Sequence, residues 1–244
     1  MPRYLMKIKY DGTAYHGWQV QDNAVTVQLT VQNALESILG NRPNVTGCSR
    51  TDSGVHANEY CFHFDSKIVI SDDGFVKAMN TKLPNDIAAF ECKKVNDNFH
   101  SRYDVKSKRY EYHFYDGKNR NPFYSNFSWF IKNKLDEAML NTAAKQFIGK
   151  YDFKAFMSSG SNIVDTVRTV VDAGVKRNGD IVTFYVEADG FLYNMVRIMA
   201  GTLYYVSLNK INPDSIKDII LSGERNKAGI TAPPNGLFLN KVNY

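Results

Sequence analysis

The sequence predicts an α+β fold in two halves, and three observations carry that expectation. Strand-like alternation and helix-like periodicity take turns along the 244 residues, with glycine or proline at the breaks. The second half holds a strand–turn–strand pattern from Thr166 to Asp189, which makes antiparallel neighbours and argues against a doubly wound parallel sheet. The rhythm restarts near Lys106, dividing the chain into residues 1–105 and 106–244 with no long linker or low-complexity segment between them.

Taken in order, RYLMKIKY (Arg3 to Tyr10) alternates as a strand and runs into the glycine-punctuated loop DGTAYHGW. Thr26 can cap a helix in which Val31, Ala34, Leu35 and Ile38 share a face and Gly40 supplies the stop. EYCFHFD is a strand, DDGFVKAMNTKL a short helix with acidic residues at its start, and IAAFECKKV another strand. In the second half VKSKRYEYHFY alternates, with Tyr110, Tyr112 and Phe114 on one face and Arg109, Glu111 and His113 on the other. LDEAMLNTAAKQFIG reads as a helix ended by its glycine, and RNGD as the turn of the hairpin that follows. A long helix from Phe191 and a shorter one from Pro213 to Ser222 complete the pattern.

Composition narrows the function classes. Hydrophobic residues at 43% and charged residues at 23% describe a globular chain rather than a disordered one. The net charge of +5 and the 15 Tyr and 15 Phe suit an RNA partner, though charge alone does not select one. Cys48, Cys61 and Cys92 are odd in number and widely spaced, which predicts neither a disulfide framework nor a zinc site. The five histidines show no metal-ligand spacing, and no carboxylate cluster suggests a divalent cation. The least polar run, Gly190 to Asn209, is broken by Arg197, Asn194 and Gly201, so it reads as a helix of a soluble protein. The N-terminus lacks an apolar signal core, and a reducing, cytoplasmic location is the expectation.

Three stretches could carry chemistry. GCSRTDSGVHA (Gly47 to Ala57) sets Asp52 among small polar residues, two positions from Arg50. A carboxylate that accepts backbone N–H bonds there would stay ionised and could serve as nucleophile or general base, while a plain Asp-Ser-Gly turn explains the same residues. FHSRYDVKSKRYEYHFY interleaves basic and aromatic residues, as a base-stacking and phosphate-contacting surface needs and as an amphipathic strand also shows. In FLYNMVRIMAGTLYYVS an apolar face of Phe191, Leu192, Met195, Val196, Met199, Leu203 and Val206 leaves Arg197 on the other side, the only charge between Asp189 and Lys210. That side carries tyrosines and small residues, so a neighbour must cover it, and a covered arginine needs an anionic partner, structural or functional. SSGSN (Ser158 to Asn162) resembles neither a phosphate-binding loop nor a nucleophile elbow.

Together these segments resemble the TruA family of tRNA pseudouridine synthases. YDGTAYHGWQVQ with TVQ is similar to the family's opening, and RTDSGVHA to its catalytic motif. FHSRYDVKSKRYEY resembles the second motif, DFKAFMSSG with VRTV the third, FLYNMVRIMAGTL the fourth, and AGITAPPNGLFL the C-terminal signature. The matches keep family order from Tyr10 to Leu239. Departures are the cysteine and serine ahead of Arg50 where glycine is usual, Ser53 where alanine is common and Ile230 where proline is common, all of which bear on loop packing.

The resemblance implies that Asp52 is the catalytic aspartate, Tyr110 the tyrosine at the target uracil, Arg197 the arginine paired with that aspartate and Arg50 the residue that helps extrude the nucleotide. It implies two ferredoxin-like α/β-sandwich halves whose antiparallel sheets join across a central RNA-binding cleft. It also implies a homodimer that grips tRNA and modifies uridines of the anticodon stem-loop. Substrate and product of that reaction are isomers, so no cofactor or metal is expected. Two rivals stand beside it: a nuclease, which would want clustered acids or a metal, and a non-catalytic tRNA-binding protein derived from such an enzyme.

Overall fold

The computed structural model describes residues 1–160 and 163–244 and divides the chain into two units, Met1–Lys106 with Leu239–Tyr244, and Ser107–Phe238. Ser161 and Asn162 of the SSGSN stretch lie outside the described residues.

In the first unit the alternation of RYLMKIKY becomes strand β1, Arg3–Tyr10. Helix α1, Val27–Leu39, begins at Thr26, whose hydroxyl accepts from the Leu29 N–H, and stops at Gly40 in the left-handed region. Strand β2 is the short pair Thr46–Gly47, β3 runs His56–Asp65, helix α2 Asp72–Asn80 and β4 Ile87–Val95. β1 lies between β3 and β4, antiparallel to both, so that Tyr4 faces Phe64 and Lys94. Tyr4, Phe64 and Phe75 meet under α2, and Trp18 stacks on Tyr60 at 4.0 Å. This aromatic layer supports the loop that carries Asp52.

In the second unit β5 is Ser107–Tyr115, β6 Trp129–Phe130, α3 Glu137–Lys145, β7 Gly149–Asp152, β8 Val167–Asn178 and β9 Ile181–Ala188. Helix α4, Met195–Ser207, and α5, Ile216–Ser222, follow. The strand order is β5-β9-β8-β7, all antiparallel, with β6 added parallel to β5. Asn178 pairs with Ile181, so Gly179 and Asp180 form the two-residue turn of the hairpin. The unit has an antiparallel sheet with helices packed on it, an α+β arrangement.

Several expectations need correction. α3 ends at Lys145, and Gly149 opens β7 instead of stopping the helix, because Phe147 turns into the core first. α4 starts at Met195 rather than Phe191, since Asn194 sits at a φ of 60° and breaks the run. The last strand, β10 (Leu237–Asn243), was not read from the sequence at all. Its residues from Leu239 onward, with Tyr244, belong to the first unit rather than the second. There the strand neighbours β3, Glu59 accepts from the Val242 N–H at 3.1 Å, and Tyr244 donates to the Ser101 carbonyl.

Candidate active-site residues

The loop around Asp52 is held by its backbone. The Trp18 N–H donates to the Thr51 carbonyl at 3.2 Å and the Gly54 N–H to the Tyr15 carbonyl at 3.2 Å. Thr51 shares a hydrogen bond with the Tyr10 hydroxyl at 2.9 Å, and Tyr60 donates to the Ser49 carbonyl at 2.5 Å. The Gly12 N–H donates to Nδ1 of buried His56 at 3.0 Å. A side chain at Gly12 would put its Cβ 2.0 Å from the Val55 carbonyl oxygen, and one at Gly17 would lie 2.3 Å from that of Thr51. Only glycine lets these two loops touch main chain to main chain. Tyr15 locks the arrangement by donating to Asp86 at 2.7 Å. Thr51 is buried, Asp52 half-buried and Arg50 exposed. Arg50 makes no ion pair with Asp52, so the lone arginine of the motif is not there to neutralise its lone acid.

In the second unit Arg197 leaves α4 half-buried, donating Nε to the Ala232 carbonyl at 2.8 Å and Nη1 to Asn194 Oδ1 at 2.7 Å. The cover expected over this side of α4 is the stretch AGITAPPNG. The Gly229 N–H donates to Thr202 Oγ1 at 2.9 Å, and a Cβ on Gly201 would lie 1.8 Å from the Ile230 carbonyl oxygen. Tyr112 donates to the Pro233 carbonyl at 2.9 Å. Burial pushes the pKa of the Tyr112 hydroxyl up, and the charge of Arg197 opposes that rise. Tyr110 sits two residues before it on the same face of β5, 6% exposed, its ring edge-on to Phe191 at 5.0 Å.

The basic and aromatic stretch resolves into both of its readings. Along β5 the tyrosines are buried, while Arg109 bonds Asp172 at 3.0 Å and lies over the Tyr185 ring, and Glu111 pairs with Lys176. Those charges are structural. Upstream, Arg102 is exposed and has no side-chain partner among the described residues. Sequence reasoning did not single out Arg102, Tyr15, Gly12, Gly17 or Asn194; the glycines of DGTAYHGW were the available signal. Among the described residues no three His, Cys, Asp or Glu side chains stand close enough to hold a metal ion. No helix there is long and apolar enough to cross a membrane.

A family model described as tRNA pseudouridine synthase matches residues 6–104 and 143–244. The chain belongs to the TruA family of tRNA pseudouridine synthases. The matched segments contain Arg50, Asp52, Arg102 and Arg197, while Tyr110 falls between them. The tRNA pseudouridine synthase A of Thermoanaerobacter sp. (strain X514) is 46% identical over 244 residues, 100% of both chains. That of Acetivibrio thermocellus is 44% identical over 237 residues, 97% of each. Among solved structures, a chain of a Cbf5-Nop10-Gar1 complex covers 96% of this chain and 57% of its own, at a TM-score of 0.37 and 12% identity, too distant to bear on the fold. As a tRNA pseudouridine synthase the chain is an isomerase.

Proposed function

We propose that this synthase isomerises uridine in the anticodon stem-loop of tRNA, with Asp52 as the reacting carboxylate. The target nucleotide, at about positions 38 to 40, leaves its stack to reach the site, at a cost of a few kcal/mol. The observation that carries the reading is the setting of Asp52: half-buried, on a loop fixed by main-chain contacts to the loop of Asp11 to Trp18, with no pairing to its neighbour Arg50. A carboxylate so placed is held in position by its loop.

Asp52 attacks C1′ or deprotonates the sugar, and the N-glycosidic bond breaks. The uracil turns and C5 bonds to C1′; N1 gains a proton and C5 gives one up. Atoms balance within the nucleotide, so the reaction needs no outside reactant. Arg197 is the cation of the proposed reaction. Tyr110 stacks on the base and takes the proton that leaves C5. Arg50 fills the space vacated in the stack. The enzyme works in the cytoplasm as a homodimer on one class of RNA.

Incubation of purified protein with tRNA labelled in uridine, with no additive, tests the proposal. Label recovered as pseudouridine from the anticodon stem-loop is the expected result. Tight tRNA binding with no conversion would make this a binding protein derived from the family, and strand scission would make it a nuclease.

A further inference from the structure

Arg102 offers a charge that the reaction above does not use. Arg102 and Arg50 both line one cavity of about 200 Å³ in the first unit, together with Gln19, Gln28, Ser49 and Trp18. No carboxylate lines it. Neither guanidinium has a hydrogen bond or ion pair among the described residues, whereas Arg3, Arg42, Arg109 and Arg177 are each engaged by an acid. Two like charges converging on one concavity repel each other unless an anion joins them.

Both arginines stand on rigid bases. The turn that carries Arg102 is pinned by buried Ser101, whose hydroxyl donates to the Thr46 carbonyl at 2.5 Å and whose N–H donates to His63 Nδ1 at 3.1 Å. Within the turn the Arg102 N–H donates to His100 Nδ1, and the His100 N–H to Asp104. Arg50 sits between Ser49 and Thr51, both tied to tyrosines of the core. Gln28 is spent on the wall, bonding Val45 and Val20. Preorganised walls with uncommitted cationic ends are the makings of an anion site. The size selects the anion: pockets for whole small molecules run to about 300–1,000 Å³, so this one takes a single charged group and not a nucleoside.

We propose that the cavity between Arg50 and Arg102 holds one phosphodiester of the RNA strand next to the extruded nucleotide, with Arg102 as its standing ligand. The inference rests on the tRNA reading above. Arg102 then anchors the backbone while Arg50, on the same rim, remains within reach of the vacated stack.

The test compares the parent with Arg102→Gln and Arg102→Lys on an anticodon stem-loop RNA in which single phosphates are replaced by neutral methylphosphonates. Parent turnover on the unmodified RNA is the control for the function itself; its absence would defeat that reading and this one with it. With the parent active, Arg102→Gln should weaken RNA binding about tenfold and lower the slope of log affinity against log salt by about 0.7–0.9, the share of one phosphate. One methylphosphonate position should weaken the parent and leave Arg102→Gln unaffected, and Arg102→Lys should recover part of the loss. Thermal melting checks that the exposed substitution leaves the fold intact. An unchanged salt slope, or losses that add at every methylphosphonate position, would overturn the assignment while leaving pseudouridine formation in place. Inorganic phosphate competing with the RNA equally well in parent and Arg102→Gln would likewise overturn it.

Discussion

Arg197 and Ala232 hold each other twice: the Arg197 Nε donates to the Ala232 carbonyl at 2.8 Å, and the Ala232 N–H donates to the Arg197 carbonyl at 3.1 Å. The guanidinium is therefore aimed by main chain, and Asn194 steadies a second nitrogen at 2.7 Å. A planar guanidinium reaches the two acceptors through different nitrogens of a fixed fork, which the single nitrogen of an ammonium does not reproduce. Arg197→Lys should lower kcat at least tenfold while the melting temperature shifts by only a few degrees. A variant that keeps parental kcat would remove Arg197 from the reaction.

Asp52→Asn keeps the size of the side chain and its place in a loop held by main-chain contacts. Pseudouridine formation should become undetectable, and tRNA affinity, measured by filter binding, should stay within about threefold. Near-normal turnover would show that another group reacts.

Tyr110→Phe retains the ring that packs edge-on to Phe191 and deletes the hydroxyl. Base stacking is worth roughly 1–3 kcal/mol and survives in phenylalanine, so tRNA affinity should hold. If the hydroxyl moves the proton, turnover should fall by about a hundredfold or more. Parental turnover would confine Tyr110 to stacking.

His63 predicts a pH dependence of stability. Burial, then the charges of Arg3 and His100, lower its pKa to about 4, and its Nδ1 accepts from the Ser101 N–H, a geometry that only the neutral ring allows. The unfolded chain takes up this proton near pH 6.5 and the folded chain only near 4, so in that window the unfolded state binds more protons and stability rises with pH. The contribution is fully present above about pH 6.5 and is lost as the pH falls towards 4, on the order of 3 kcal/mol at most. Denaturant titrations of the parent and His63→Gln between pH 4 and 7 check it: the variant should show the flatter slope.

Gly201 predicts a packing defect. Its missing Cβ leaves room for the Ile230 carbonyl 1.8 Å away, so Gly201→Ala must push the AGITAPPNG stretch off α4. Overpacking of this kind typically costs about 1–3 kcal/mol, and the displacement should loosen Arg197 through Ala232. A lower melting temperature with a lower kcat is expected; an unchanged melting temperature would mean that the cover is not tightly seated.

Local patterns were legible in the sequence where local physics decides the outcome. β1 and β4 begin and end where their alternation does, and Thr26 and Gly40 bound α1 because a cap and a left-handed glycine act within one turn. β10 escaped because LFLNKVN is short and follows a proline–glycine segment; its strand state depends on partners far away in the chain. Arg197 was marked by being the sole charge on its helix, a signal visible in one dimension. Arg102 was not, because Lys106, Lys108 and Arg109 crowd the same stretch and only their pairing, Arg109 with Asp172 for one, tells a solvated or structural charge from an idle one. Gly12 and Gly17 looked like ordinary loop punctuation, since the main chain they approach lies some forty residues on.

The main-chain seam between those glycines and the Asp52 loop bears on how portable the motif is. RTDSGVHA is eight residues long and reads as a self-contained cassette, yet its shape is moulded by a second loop that begins at Asp11. Moving the cassette into another scaffold would carry the acid across and leave its mould behind. A working graft has to transplant Asp11 to Trp18 in the same step, and substitutions in either loop should be judged as changes to one object.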